Sequence, residues 1–238
     1  HKLQFWSLPD LLREYFIRGR RSIVVSGTHG KTTTTSLLAW VFEHNGLNPS
    51  YLIGGIPNNL GQGARFTGSE WVIIEGDEYD TAFFDKRSKF VHYLPEVAVI
   101  NNLEFDHADI FDTLESIQTA FRHLIRLIPR NGLLLANGDD PSLAPLLNVT
   151  HCPVKRFGLG EGNAVQAFNI RYGPTATEFE ILRHLASRPG RVYSRRELLE
   201  LLRVAALHLP VPQRAPADVE QALLREVGDE ARVGAVLE

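Results

Sequence analysis

Nothing constrains this chain more than Ser26-Gly27-Thr28-His29-Gly30-Lys31-Thr32-Thr33-Thr34. It is set between the β-branched run Ile23-Val24-Val25 and the apolar-spaced segment Ser36-Leu37-Leu38-Ala39-Trp40-Val41-Phe42. The first run suits a buried strand and the second a helix. Strand, glycine loop and helix, in that order, bring backbone N–H groups and a helix N-terminus around a phosphate. Lys31 is then placed to reach terminal phosphates, and the Thr32 hydroxyl to meet a magnesium ion. The general phosphate-loop pattern asks for a glycine five residues before Gly30, where this chain has Val25, so the loop is a shortened Gly-Thr-x-Gly-Lys-Thr variant. A threonine-rich helix cap would have no use for the lysine, so nucleotide binding is the expectation.

The totals narrow the partners. A formal net charge of -3 and a pI near 6.3 argue against a general polyanion binder. Cys152 is the only cysteine, which excludes an internal disulfide and a zinc site built on cysteines, and is compatible with a cytoplasmic protein. No apolar run reaches the roughly 18 residues of a membrane span, and the N-terminus lacks a signal-peptide pattern. The 238 residues include no methionine, which is expected of a piece of a larger protein.

Along the chain, residues 3–20 read as an amphipathic helix closed by Arg18-Gly19-Arg20-Arg21, whose charges suit a helix C-terminus. Tyr51-Leu52-Ile53 reads as a short strand followed by the glycine-rich 54–63. Trp71-Val72-Ile73-Ile74 is a buried-strand pattern ending in Glu75-Gly76-Asp77-Glu78-Tyr79-Asp80. Val97-Ala98-Val99-Ile100 is another, ending in Asn101-Asn102-Leu103-Glu104-Phe105-Asp106-His107. Polar clusters at the carboxyl ends of apolar strands are where open α/β sheets place ligands, so three strand ends point at one crevice. A helix from about Thr113 to Ile128, stopped by Pro129, leads to strand Leu133–Ala136 and a last strand near Val154–Phe157. The alternation predicts an α/β fold: a mostly parallel sheet with helices on both faces.

The acidic strand end gives a reason for metal. Glu75, Asp77, Glu78 and Asp80 crowd like charges that a cation would offset, and hard oxygen ligands beside a triphosphate favour magnesium over zinc. Asp106-His107 offers a further ligand, since a neutral imidazole binds metal while its other nitrogen is held by a carboxylate.

Gly27-Thr28-His29-Gly30-Lys31-Thr32-Thr33-Thr34, Glu75-Gly76-Asp77-Glu78-Tyr79-Asp80 and Asn102-Leu103-Glu104-Phe105-Asp106-His107 resemble the central ATPase domain of the Mur ligases of bacterial peptidoglycan synthesis. The stretch Asp80 to Tyr93, with Asn101 to Asp112, is similar to the recycling branch that joins UDP-N-acetylmuramate to a tripeptide. The branch that adds L-alanine to UDP-N-acetylmuramate is the alternative within the family. The resemblance runs from about residue 8 to 172, which implies a Mur ligase-like P-loop ATP-binding domain over 1–172 and a helical tail over 173–238.

By position, the resemblance implies that ATP and Mg2+ are the cofactors. Gly27, Thr28, His29, Gly30, Lys31, Thr32, Thr33 and Asn102 would hold the nucleotide. Thr32, Glu75 and His107 would be metal ligands, and Lys31, Glu75 and His107 the catalytic groups. The reaction implied is attack of the muramoyl carboxylate on the γ-phosphate, giving an acyl phosphate, followed by attack of a peptide or amino acid amine. The UDP-binding and C-terminal domains of the family are not expected within this chain, so weak nucleotide binding without ligation is expected of it alone. The basic run Lys86-Arg87-Ser88-Lys89 is open to two readings, contact with an anionic substrate or a solvated turn.

The character changes after about Tyr172. Residues 175–202 read as helix over Glu178–Ala186, short strand, then helix from Ser194, and resemble part of an OmpR-type winged-helix segment. That raises a second hypothesis, a DNA-binding regulator with a nucleotide-sensing domain. The acidic Asp218–Val227 is unsuited to a major groove, so nucleic acid is not the expected partner.

Overall fold

The computed structural model describes residues 5–105, 111, 113–148, 150–172, 177–183 and 234–237. The chain divides into two compact units between Lys155 and Arg156.

In the first unit the strands are β1 (Arg21–Ser26), β2 (Ser50–Leu52), β3 (Ala64–Arg65), β4 (Trp71–Glu75), β5 (Asp80–Ala82), β6 (Asp85–Ser88), β7 (Val97–Ile100) and β8 (Leu133–Asn137). β8, β7, β1, β4 and β2 lie side by side and parallel, with β3 antiparallel on the edge. β5 and β6 form a separate antiparallel hairpin. The helices are α1 (Leu8–Leu12), which runs on as a π-turn over Arg13–Ile17, α2 (Lys31–His44), α3 (Leu114–Leu127) and the short α4 (Ala144–Leu147).

Strand residues alternate between faces, and each face has its own helices. Val24, Val72 and Ile74 pack with Leu12 and Ile17 of the first helix, with Phe90 and Tyr93, and with Leu124 of α3. α3 also covers Ala98, Ile100, Leu134 and Ala136 through Ile117, Phe121 and Ile125. α2 packs against β1 and β4, with Ala39 fully buried. Thr113 caps α3 and closes a capping box with Ser116, and Ile128 leaves the helix extended (φ -66, ψ 128), as a residue before proline must.

The structure revises two sequence expectations. The helix expected over residues 3–20 begins at Leu8, because Ser7 caps it, Asp10 completes the capping box and Pro9 fills the first turn. It ends at Ile17, before Gly19 at φ +79. Each arginine of the cluster then meets a fixed partner. Arg18 pairs with Glu14 at 2.7 Å, Arg20 donates to Ser50 Oγ and the Thr67 carbonyl, both at 2.9 Å, and Arg21 pairs with Glu96 at 2.6 Å over the Trp71 ring.

The second revision concerns the other unit. β9 (Val154–Gly158) runs across the boundary into it, and it holds β10 (Val165–Tyr172), β11 (Thr177–Arg183) and β12 (Gly234–Leu237). β10 runs parallel to β9 and antiparallel to β11, and β11 antiparallel to β12. β11 lies where a helix over Glu178–Ala186 was expected. The stretch Glu178-Phe179-Glu180-Ile181 alternates polar and apolar, the period of a strand, and β10 supplies the ladder. The winged-helix resemblance therefore loses its first helix. Its remainder, like the helix expected from Ser194, lies outside the described residues. Among the described residues no helix is long and apolar enough to cross a membrane.

Two outcomes follow for the first unit. Phe121 is fully buried and its ring lies 5.6 Å from that of Phe90, so Phe121→Ala should lower unfolding free energy by about 3–5 kcal/mol in urea denaturation. The Arg87 guanidinium, hydrogen-bonded to Asp85, holds that carboxyl well below the usual range. A depressed folded pKa stabilises above the unfolded value of about 4, and that stabilisation is lost as pH falls through the folded value. Asp85→Asn should therefore flatten the acid limb of the stability profile below about pH 4; an acid limb as steep as that of the unsubstituted chain would contradict this.

Candidate functional site

The loop between β1 and α2 is held by the strand beside it. Gly27 has φ +140, and a Cβ there would lie 3.1 Å from Asn101 Cβ and from the Asn102 nitrogen. Only glycine accommodates both the dihedral and the approach. Hydrogen bonds then tie the loop to the exit of β7. The Thr28 N–H donates to the Asn102 carbonyl at 3.2 Å, and the His29 N–H to Asn102 Oδ1 at 2.8 Å. The Glu104 N–H donates to Thr28 Oγ1 at 2.9 Å. Asn101 Nδ2 donates to Thr34 Oγ1 at 3.0 Å. The β7 exit is fixed in turn by Asp140, whose carboxylate accepts the Leu103 N–H at 2.6 Å.

Gly30 caps α2 in the left-handed conformation (φ 76, ψ 4) with no side-chain cap. The leading amides of α2 are therefore presented to the site without a competing side-chain acceptor, the arrangement that receives anions. Asn102 clamps the loop from the side, its amide engaged with the His29 backbone. His29 is more than half exposed, with Nε2 at 3.7 Å from a Glu104 carboxylate oxygen.

β4 delivers the acidic groups. Gly76 lets its chain cross close over β1: a Cβ there would lie 2.6 Å from Val24 Cγ1, and the Gly76 N–H donates to the Val25 carbonyl at 2.7 Å. Four carboxylates then leave in different directions. Glu75 accepts the Thr32 hydroxyl at 2.9 Å and the Gly54 N–H at 2.7 Å. Asp77 pairs with Lys89 at 2.7 Å, and Asp80 with Lys86 at 2.7 Å. Glu78, its side chain 3% exposed, pairs with Lys31 at 2.9 Å.

Lys31, Thr32, Glu75 and the glycine loop thus converge as the strand-end motifs require. Glu78 joins them, although its sequence signal was only membership of an acidic cluster. Asn101 and Asp140 also went unassigned in the sequence, since asparagine and aspartate at strand exits are read as turn residues. Thr33 lies in the first turn of α2. His107 lies outside the described residues. Among the described residues no three His, Cys, Asp or Glu side chains form a ready metal cage. The basic run Lys86-Arg87-Ser88-Lys89 is engaged internally: all three cations hold carboxylates, Arg87 with Asp85 at 2.6 Å. Lys86, Arg87 and Ser88 also border a groove of about 570 Å³ along α3, opposite His123 and Arg126.

The Mur ligase middle domain, as a family, matches residues 25–193. The UDP-N-acetylmuramate–L-alanyl-gamma-D-glutamyl-meso-2,6-diaminoheptandioate ligase of Haemophilus influenzae is 48% identical over 77% of this chain and 40% of its own length. Its Escherichia coli counterpart is 42% identical over 76% of this chain and 39% of its length. The chain thus spans about two fifths of the curated relatives it matches. Among solved structures, the UDP-N-acetylmuramate:L-alanyl-gamma-D-glutamyl-meso-diaminopimelate ligase of Neisseria meningitidis superposes with a TM-score of 0.68 at 42% identity, covering 83% of this chain and 64% of that one.

The loop geometry is testable without any ligand. Gly27→Ala should cost about 1–3 kcal/mol in denaturant unfolding and strip hydrogen-exchange protection from the Thr28 and His29 amides. Undiminished protection would show that the loop does not depend on its approach to Asn101 and Asn102.

Proposed function

We infer the function from one premise: the chain belongs to the Mur ligase family. It is the ATP-handling core of a carboxylate–amine ligase of peptidoglycan synthesis or recycling. The substrates are UDP-N-acetylmuramate and a peptide of the L-alanyl-γ-D-glutamyl-diaminoheptanedioate class, and the reaction takes place in the cytoplasm. The identity of 48% to a ligase named for those substrates supports this branch over the one that adds L-alanine.

One observation carries the reading. Of the four carboxylates at the β4 exit, Glu75 alone has only uncharged partners among the described residues, and one of them is the hydroxyl of Thr32. A hydroxyl and a carboxylate 2.9 Å apart beside a phosphate loop are the oxygen donors that fit Mg2+, which is held by one or two protein oxygens plus phosphates and water rather than by an all-protein cage. Thr32 and Glu75 would hold that ion, with His107 as ligand for a second. Bound there, Mg2+ supplies charge neutralisation at the phosphate oxygens.

The chain's own residues do the rest by positioning. The amides leading α2 and the Lys31 ammonium bind and orient the triphosphate. The muramoyl carboxylate attacks the γ-phosphorus, ADP leaves, and an acyl phosphate forms. The peptide amine then attacks the acyl carbon, phosphate departs, and the amine proton goes to solvent or base. No side chain is needed as nucleophile, so the site has to be a cationic clamp of fixed geometry.

A magnesium-ATP titration of the purified chain, followed calorimetrically, tests this. Lys31→Ala should weaken ATP by about two orders of magnitude, the scale of a lost charged contact to phosphate, and Glu75→Gln should abolish the gain in affinity that Mg2+ confers. Binding by Lys31→Ala equal to that of the unsubstituted chain would refute the assignment.

A further inference from the structure

We propose that Glu78 is a positioning residue for Lys31: it latches the lysine in the nucleotide-free loop and competes with phosphate for the same ammonium group. The inference rests on the nucleotide-binding reading above and extends it to a residue outside the metal and phosphate ligands.

An ammonium has three N–H donors and no acceptor. Lys31 Nζ lies 2.8 Å from the Gly27 carbonyl, 3.2 Å from the Thr28 carbonyl, and 2.9 and 3.1 Å from the two oxygens of Glu78. All three donors are therefore committed. The two carbonyls belong to the loop itself, which is anchored to β7 through Thr28 and His29. Glu78 is the charged partner, with both carboxylate oxygens turned to Nζ.

Burial gives this pairing its weight. The Lys31 and Glu78 side chains are 14% and 3% exposed, so neither charge is well solvated and their pairing is little screened by water. A phosphate oxygen arriving at the loop must take a donor from Nζ, and the only anion it displaces there among the described residues is Glu78. Gly76 makes this approach possible, because its lack of a side chain lets the chain between Glu75 and Glu78 pass close against Val24 of β1. Thus the segment that brings Glu75 to Thr32 also brings Glu78 to Lys31. Glu75 is set to gain a cation on loading, whereas Glu78 yields one.

The test compares the unsubstituted chain with Glu78→Gln, Glu78→Asp, Lys31→Met and Lys31→Met/Glu78→Gln in two measurements. In a magnesium-ATP titration, Glu78→Gln should bind roughly ten- to a hundredfold tighter, the scale of one charge-assisted hydrogen bond no longer competing. Glu78→Asp, which keeps the charge, should stay close to the unsubstituted affinity. In thermal unfolding without nucleotide, Lys31→Met should melt below the double variant, because it strands a buried carboxylate that Gln relieves.

Unchanged or weaker ATP binding by Glu78→Gln, or equal melting of the single and double lysine variants, would overturn the latch while leaving the nucleotide site standing. Absence of ATP binding by the unsubstituted chain would overturn the nucleotide reading and the latch together. A merely structural role for Glu78 predicts lower stability without tighter ATP binding.

Discussion

The site depends on how closely two backbones approach at Gly27. The loop leaving β1 lies so close to the exit of β7 that a Cβ on Gly27 would meet Asn101 and Asn102 at 3.1 Å, and the Thr28 and His29 amides are bonded to Asn102. Because the first turn of α2 continues from that loop, its amides inherit a fixed direction. Their orientation is set before any ligand arrives, which is what electrostatic stabilisation of a charged transition state requires. The parallel register of β1 with β7 and β4 brings both neighbouring strand exits level with the loop, so Asn101 and Glu75 reach it from opposite sides. Chain topology, rather than any one residue, makes this the candidate place for a ligand.

The parts of this arrangement legible in the sequence are those written as runs. β1, β4, β7 and β8 are apolar and β-branched or leucine-rich, and α3 has both a threonine cap and a proline stop. Each is bounded by a polar strand end, so element and ligand-facing loop were read together. Glu178-Phe179-Glu180-Ile181 was misread because a short alternating stretch is easily taken for part of a helix when leucines follow it. Pairing with β10 decides the matter, and pairing is not local information. The Asp80–Ser88 hairpin is equally non-local in cause. Its strands have no apolar run to announce them, and across its turn Lys86 pairs with Asp80 while the Thr81 hydroxyl donates to the Arg87 carbonyl.

The candidate site divides along the same line. Lys31 and Thr32 are legible because a phosphate loop fixes their spacing to the glycines. Glu78 is not, because its meaning lies in a contact 47 positions away in the chain. Asp140 is a turn residue by sequence and a strut by structure, since its carboxylate reaches the Leu103 amide rather than only its own turn.

Crowded carboxylates in a sequence invite a metal, and the β4 exit shows why that inference needs the structure to be completed. In a short extended segment successive side chains point apart, so acids adjacent in sequence need not be adjacent in space. Asp77, Glu78 and Asp80 each reach a different lysine, and the repulsion expected among them is relieved by the protein's own cations. What the cluster retains for a divalent ion is Glu75, held by a hydroxyl and a backbone amide that fix its direction without neutralising it. What favours a metal is therefore which carboxylate stays uncompensated among the described residues, not how many are present. On the proposed reading this couples the two ligands, since a triphosphate arriving with its metal meets Glu75 as a ligand and one arriving without it meets Glu75 as a like charge.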